Sequence, residues 1–168
     1  MDEPDEILQR IMSAYGSLFK PTYWFMSRVV AERPYDALID SIRSQFEIED
    51  DTDVNYDRSF VYALERQGCR WALRLSMVGP YAVVARIDAA WRDILTATTP
   101  DVSEAERWLL DKVGAAKLRL LSRRELERPV ALRLYDVEPE NVRIYQALFE
   151  ESDILPWDLE TLRGLGLL

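Results

Sequence analysis

Ser59 to Ile87, SFVYALERQGCRWALRLSMVGPYAVVARI, is the stretch whose reading decides the fold. In its middle run Trp71, Leu73, Leu75 and Met77 alternate with Arg70, Ala72, Arg74 and Ser76. A period of two puts the large apolar groups on one face of a strand and the arginines on the other. Gln67-Gly68 and Gly79-Pro80 supply turn chemistry on either side, so the stretch reads as three consecutive antiparallel strands. A meander with one apolar face must be covered, and the flanking segments are patterned to cover it.

Upstream, Asp5 to Tyr15 reads as an amphipathic helix with Ile7, Leu8, Ile11, Met12 and Tyr15 on one stripe. Asp2, Glu3, Asp5 and Glu6 crowd its first turn, where the helix dipole favours negative charge, and Gly16 is a natural stop. Residues 18–31 contain Pro21 and the apolar run Tyr23-Trp24-Phe25-Met26, which fits a docked helix or a short buried strand, the helix being preferred. Pro34 to Phe46 is again helical, with Pro34 at a first position that needs no amide hydrogen. The stretch EIEDDTDVNYD, 47–57, reads as an acidic loop leading into the meander.

Downstream, Asp88 to Thr99 fits a short helix or an irregular excursion. Ser103-Glu104-Ala105-Glu106 matches a capping box, in which each end's side chain satisfies the other's backbone amide, and the helix behind it is expected to stop at Gly114. Ser122-Arg123-Arg124-Glu125 repeats the pattern for a short helix. KLRLLS, 117–122, suits a strand, as do Val130, Leu132 and Leu134 alternating with Ala131, Arg133 and Tyr135. Residues 142–149 alternate well enough for a strand, yet Val142, Tyr145, Leu148 and Phe149 also share a helical face. Pro156 and Trp157 are expected to open a terminal helix. The sum is a single α+β domain over 1–168: an antiparallel sheet of about five strands, its central meander at 59–87, packed by amphipathic helices on one side.

Composition narrows the chemistry. At 168 residues with 48% hydrophobic and 30% charged side chains, the chain has the balance of one globular domain. It contains no histidine, which excludes Ser-His-Asp and Cys-His catalysis and imidazole metal ligands. Its one cysteine, Cys69, excludes an internal disulfide and reads as a small hydrophobe at a sheet end. Phosphate-binding loops need clustered glycines that are absent, so no cofactor is expected. The start, MDEPDEIL, carries no apolar run, and no segment approaches the ~20 apolar residues of a membrane span, so a cytoplasmic location is expected. A net charge of −9 disfavours nucleic acid and anionic membrane as partners and suits a basic protein.

Two acid-rich sets stand out. Glu47, Glu49, Asp50, Asp51, Asp53 and Asp57 place six carboxylates in eleven residues with no basic residue among them. Such a run is a solvated loop or a docking surface that steers a basic partner. Asp51, Asp53, Asn55 and Asp57 also have the alternation of half a calcium loop, but Tyr56 stands where that loop needs glycine and Tyr62 where it needs glutamate. The second set, Glu150, Glu151 and Asp153 with Trp157, has the composition of an aromatic anchor with a polar rim, or of a core tryptophan with acidic neighbours. Arg70, Arg74 and Arg86, joined by Arg66, suggest a basic face on the meander that binds an anion, pairs with carboxylates on a covering element or forms cross-strand ion pairs.

With RWALRLSMVGPYAVVARI (70–87), EIEDDTDVNYD (47–57) and YQALFEESDILPWDLE (145–160) in view, the chain resembles the small acidic immunity proteins of bacterial polymorphic-toxin systems. The likeness is one of type, in size and acidity, and carries no functional residues over. It implies a non-enzymatic, cytoplasmic protein that neutralises a cognate basic toxin by binding it. Two other readings stay open: a divalent-metal-dependent hydrolase using the loop 47–57, and a subunit of a larger assembly with the Tyr23-to-Met26 run as its contact.

Overall fold

The computed structural model describes residues 5–168. The meander forms as three antiparallel strands, β2 (Ser59–Arg66), β3 (Cys69–Ser76) and β4 (Tyr81–Ile87). Gln67 and Gly68 both adopt positive φ, at 50° and 77°, between the paired residues Arg66 and Cys69. That is the two-residue hairpin turn whose twist matches the flanking strands. In the next turn the ring of Tyr81 lies 2.8 Å from where a Cβ on Gly79 would stand, so only glycine fits there without displacing the ring.

The acidic stretch does not remain a loop. Its first four residues form β1 (Glu47–Asp50), which pairs antiparallel with β2 and ends the sheet. Asp88 to Thr99 is neither helix nor irregular: it contains β5 (Trp91–Leu95), antiparallel to β4. Trp91, Ile94 and Leu95 have helical spacing, but a tight turn closed by the Asp88 amide on the Ala90 carbonyl returns the chain to the edge of β4. Only Arg119–Leu120 of the KLRLLS stretch is strand, β6, parallel to the start of β4.

The helices are α1 (Glu6–Tyr15), α2 (Trp24–Glu32), α3 (Asp36–Arg43), α4 (Glu104–Ala115), α5 (Arg123–Leu126), α6 (Ile144–Leu148) and α7 (Leu159–Gly164). Asp5 caps α1 and Gly16 ends it at φ 75°, while Asp2 and Glu3 lie outside the described residues. Both capping boxes form, at Ser103/Glu106 and at Ser122/Glu125. α3 starts two residues after Pro34, α4 runs one residue beyond Gly114, and α7 begins at Leu159 behind the cap Asp158. The preferred helix within 18–31 is α2. The segment 142–149 resolves as α6, in which every residue is buried, so no polar face marks its period. Val130, Leu132 and Leu134 are buried in alternation but join no strand: the Val130 amide bonds the Val142 carbonyl and the Arg133 amide that of Leu18.

Register assigns the faces. Phe60, Tyr62 and Leu64 of β2 lie opposite Leu75, Leu73 and Trp71 of β3, and Trp71 lies opposite Arg86 of β4. Arg86 therefore shares the apolar face, with Arg66, and the expected arginine face is split: only Arg70 and Arg74 occupy the other. That other face is not left bare. Ser59 and Ser76 donate to the Phe149 and Leu148 carbonyls at 2.9 and 2.8 Å, seating α6 against it. The sheet is thus covered on both faces rather than on one. A bulge between Arg86 and Ile87 lets Arg92 stand unpaired and turns Trp91 onto the α6 side, where it meets Tyr145. The β1–β2 end of this face stays open, with Glu47, Glu49, Glu65 and Arg70 exposed. Among the described residues no helix is long and apolar enough to cross a membrane.

Candidate functional site

The two acid-rich sets meet. Residues 56–58 run antiparallel to 149–151: the Arg58 amide bonds the Phe149 carbonyl, Asp57 bridges Glu150, and the Glu151 amide bonds the Tyr56 carbonyl. The contact sorts the ten acidic and aromatic candidates into an interior group and a surface group.

The interior group is an ionic centre. Arg58 Nη2 lies 2.7 Å from Glu151 Oε2, and both side chains are enclosed. Tyr23 donates to Glu151 Oε1 at 2.7 Å, and the Arg58 guanidinium lies over the Tyr23 ring. Next to it, Arg74 Nη1 is 3.0 Å from Glu150 Oε2 and 3.8 Å from Asp57 Oδ1. Tyr145 also donates to Glu150, at 2.8 Å. Burial pushes the Tyr145 hydroxyl well above the usual phenol range, which keeps it a donor. Asp57 is buried, and desolvation raises its carboxyl to about 6 against the lowering pull of the Asp53 amide and of Arg74. Trp157, packed against Tyr145 and Trp91, donates to Glu127 at 2.7 Å. Asp57, Glu151 and Trp157 are therefore not surface groups, and Glu150 is half-buried on Arg74. Two charges held this close in a dry setting attract strongly, and removing one partner leaves the other uncompensated.

The surface group is what remains. Glu47, Glu49 and Asp50 project from β1, and Asp51 and Asp53 from the turn after it, all exposed. Asp50 has Arg33 at 3.8 Å; Glu47, Glu49, Asp51 and Asp53 have no ion-pair partner among the described residues. The turn is held from beneath, where Asp57 Oδ2 accepts the Asp53 amide at 2.7 Å and Thr52 Oγ1 accepts the Val61 amide at 2.9 Å. Val54 and Tyr56 stand beside these carboxylates, 50% and 53% exposed. Asp153 is exposed but accepts the Glu138 amide and the Asn141 side chain. The carboxylates of 51–57 do not converge, and no cluster of three or more acidic or thiol groups able to hold a metal occurs among the described residues.

A second ionic centre lies on the other face. Glu106 takes two bonds from Arg86, at 2.7 and 2.8 Å, one from the Trp71 indole at 2.9 Å and one from the Ser103 amide at 2.9 Å. The Arg86 bonds lead in holding its carboxyl down at about 2. It forms part of the wall of an open groove of about 910 Å³ together with Arg70, Arg92 and the exposed Cys69. Arg92 is paired to Asp88 and Asp93, so the basic lining is largely neutralised. Of the Tyr23-to-Met26 run, Phe25 and Met26 are buried and only Trp24 stands out, 81% exposed.

Sequence reasoning missed Arg58, Tyr23 and Tyr145 as partners of the acids, while for Arg74 it allowed a carboxylate on a covering element, which the structure supplies as Glu150. Glu106 carried a signal, as the third helical residue of a capping box, though nothing in the sequence joined it to Arg86. No protein-family model matches the chain, and comparisons with curated proteins and with solved structures return no match.

Proposed function

We propose that this domain is a non-enzymatic binding protein that engages a basic protein through the acidic edge formed by Glu47, Glu49, Asp50, Asp51 and Asp53. The observation that carries the reading is a row of exposed carboxylates, four of the five without an ion-pair partner among the described residues, set on a sheet-edge strand and a braced turn. Unpaired like charges raise the free energy of the isolated domain slightly and are relieved by a complementary surface. Val54 and Tyr56 offer apolar contact beside them, the composition of an anchor with a polar rim. Neutralising a toxin is one form of this role, in line with the resemblance to immunity proteins: an array of carboxylates would cover the cationic surface with which a nuclease holds its substrate.

The test is retention from a lysate of the source cell at low and high salt, with wild-type protein beside a variant carrying Glu47→Gln, Glu49→Gln, Asp50→Asn, Asp51→Asn and Asp53→Asn. A basic protein held by wild type alone and released by salt supports the reading. Equal retention by the neutralised variant contradicts it.

A further inference from the structure

The acidic residues sit on the open end of a sheet, and the hydrogen-bond phase of that end is fixed. The Asp51 amide bonds the Val61 carbonyl of β2 at 2.9 Å. Antiparallel ladders alternate, so Glu47, Glu49 and Asp51 aim their backbone groups at β2, while Ile48 and Asp50 aim theirs away from the sheet. No strand lies beyond β1, and neither Ile48 nor Asp50 has a backbone bond outside the sheet among the described residues. Two N–H and two C=O groups thus face outward along an edge that spans about 13 Å at the usual strand rise.

Resting on the binding reading above, we propose that the partner docks by adding an extended lysine- or arginine-bearing strand to the free edge of β1. Main-chain bonds to Ile48 and Asp50 would supply the alignment, as in strand addition generally, and the carboxylates would supply selectivity. Glu47 and Glu49 lie on the open face, opposite Glu65 and Ala63, and Asp50 lies on the other. An added strand therefore meets acid on both faces, and basic side chains suit either. A second copy of this chain is the wrong occupant. Pairing β1 with itself would set Glu47 and Glu49 against the same residues, and like charges directly opposite are destabilising.

The test is a titration of isotopically labelled full-length protein with a decapeptide of alternating lysine and threonine. The comparison peptide has the same sequence with alternate amides N-methylated, so that charge is kept and ladder donors are lost. The expected result is at least tenfold slower amide exchange at Ile48 and Asp50, unchanged exchange at Glu47 and Glu49, and at least tenfold weaker binding of the methylated peptide. If both peptides bind equally and salt weakens both, the acidic surface stands and strand addition is overturned. If neither binds, both readings fall. Protection of Ile48 and Asp50 in concentrated protein without peptide would assign the edge to a second copy and overturn the proposal.

Discussion

Glu49 and Glu151 both come from acid-rich stretches, and their surroundings are opposite. Glu49 stands in solvent on the edge strand of the sheet with no ion-pair partner among the described residues. Glu151 is enclosed, with Arg58 on one oxygen and the Tyr23 hydroxyl on the other. A carboxylate is tolerated inside only when its charge and lone pairs are met, so burial and partnership arrive together. What distinguishes a candidate binding acid from a structural one is the missing partner, which no count of charges records.

The comparison breaks most visibly at the interior pair. Arg58→Ala leaves Glu151 buried with its charge uncompensated and is expected to lose about 3–5 kcal/mol in urea unfolding. The double change Arg58→Met with Glu151→Leu should recover most of that loss, because a matched apolar pair replaces a matched ionic one. A double variant as unstable as the single one would mean that Arg58 acts through something other than Glu151.

Acid titration separates the two ionic centres by sign. The Glu106 carboxyl is held at about 2, below its ordinary value of 4.5. Its contribution is present above about pH 4.5 and is lost as pH falls towards 2, on the order of 3 kcal/mol in all. Glu106→Gln should abolish that acid-dependent loss. Asp57 is raised from 3.8 to about 6, so the folded state holds its proton more tightly than the unfolded chain. Its ionisation therefore reduces stability as pH rises between those values, and Asp57→Asn should flatten the slope of unfolding free energy there. Ser103→Ala, which removes the cap that Glu106 reciprocates, is expected to lose about 1 kcal/mol by thermal or urea unfolding.

The parts of this molecule legible in the sequence are the local ones. The meander, the Gln67-Gly68 turn, the two capping boxes and the helix 6–15 each follow from residues a few positions apart. Two local patterns misled. The alternation at 130–134 is real burial, but no strand lies alongside to complete a ladder. The helical spacing at Trp91, Ile94 and Leu95 yields to the unsatisfied edge of β4, which a strand completes. The site divides in the same way. The acids of β1 and its turn were nameable as a charged surface. The inward turn of Asp57 and Glu151 depends on residues 56–58 meeting 149–151, a contact across ninety positions of chain that leaves no periodic trace.

The smallest expected effect lies at the edge. The fivefold neutralised variant should unfold within about 0.5 kcal/mol of wild type, since exposed charges contribute little, even as its salt-sensitive binding disappears. The sharpest single measurement sets the opening pair side by side: urea unfolding of Glu49→Gln and of Glu151→Gln, the same chemical change at two sites. The division of the acids predicts a loss of about 3 kcal/mol at Glu151 and no more than about 0.5 kcal/mol at Glu49. Equal losses at the two positions would contradict it.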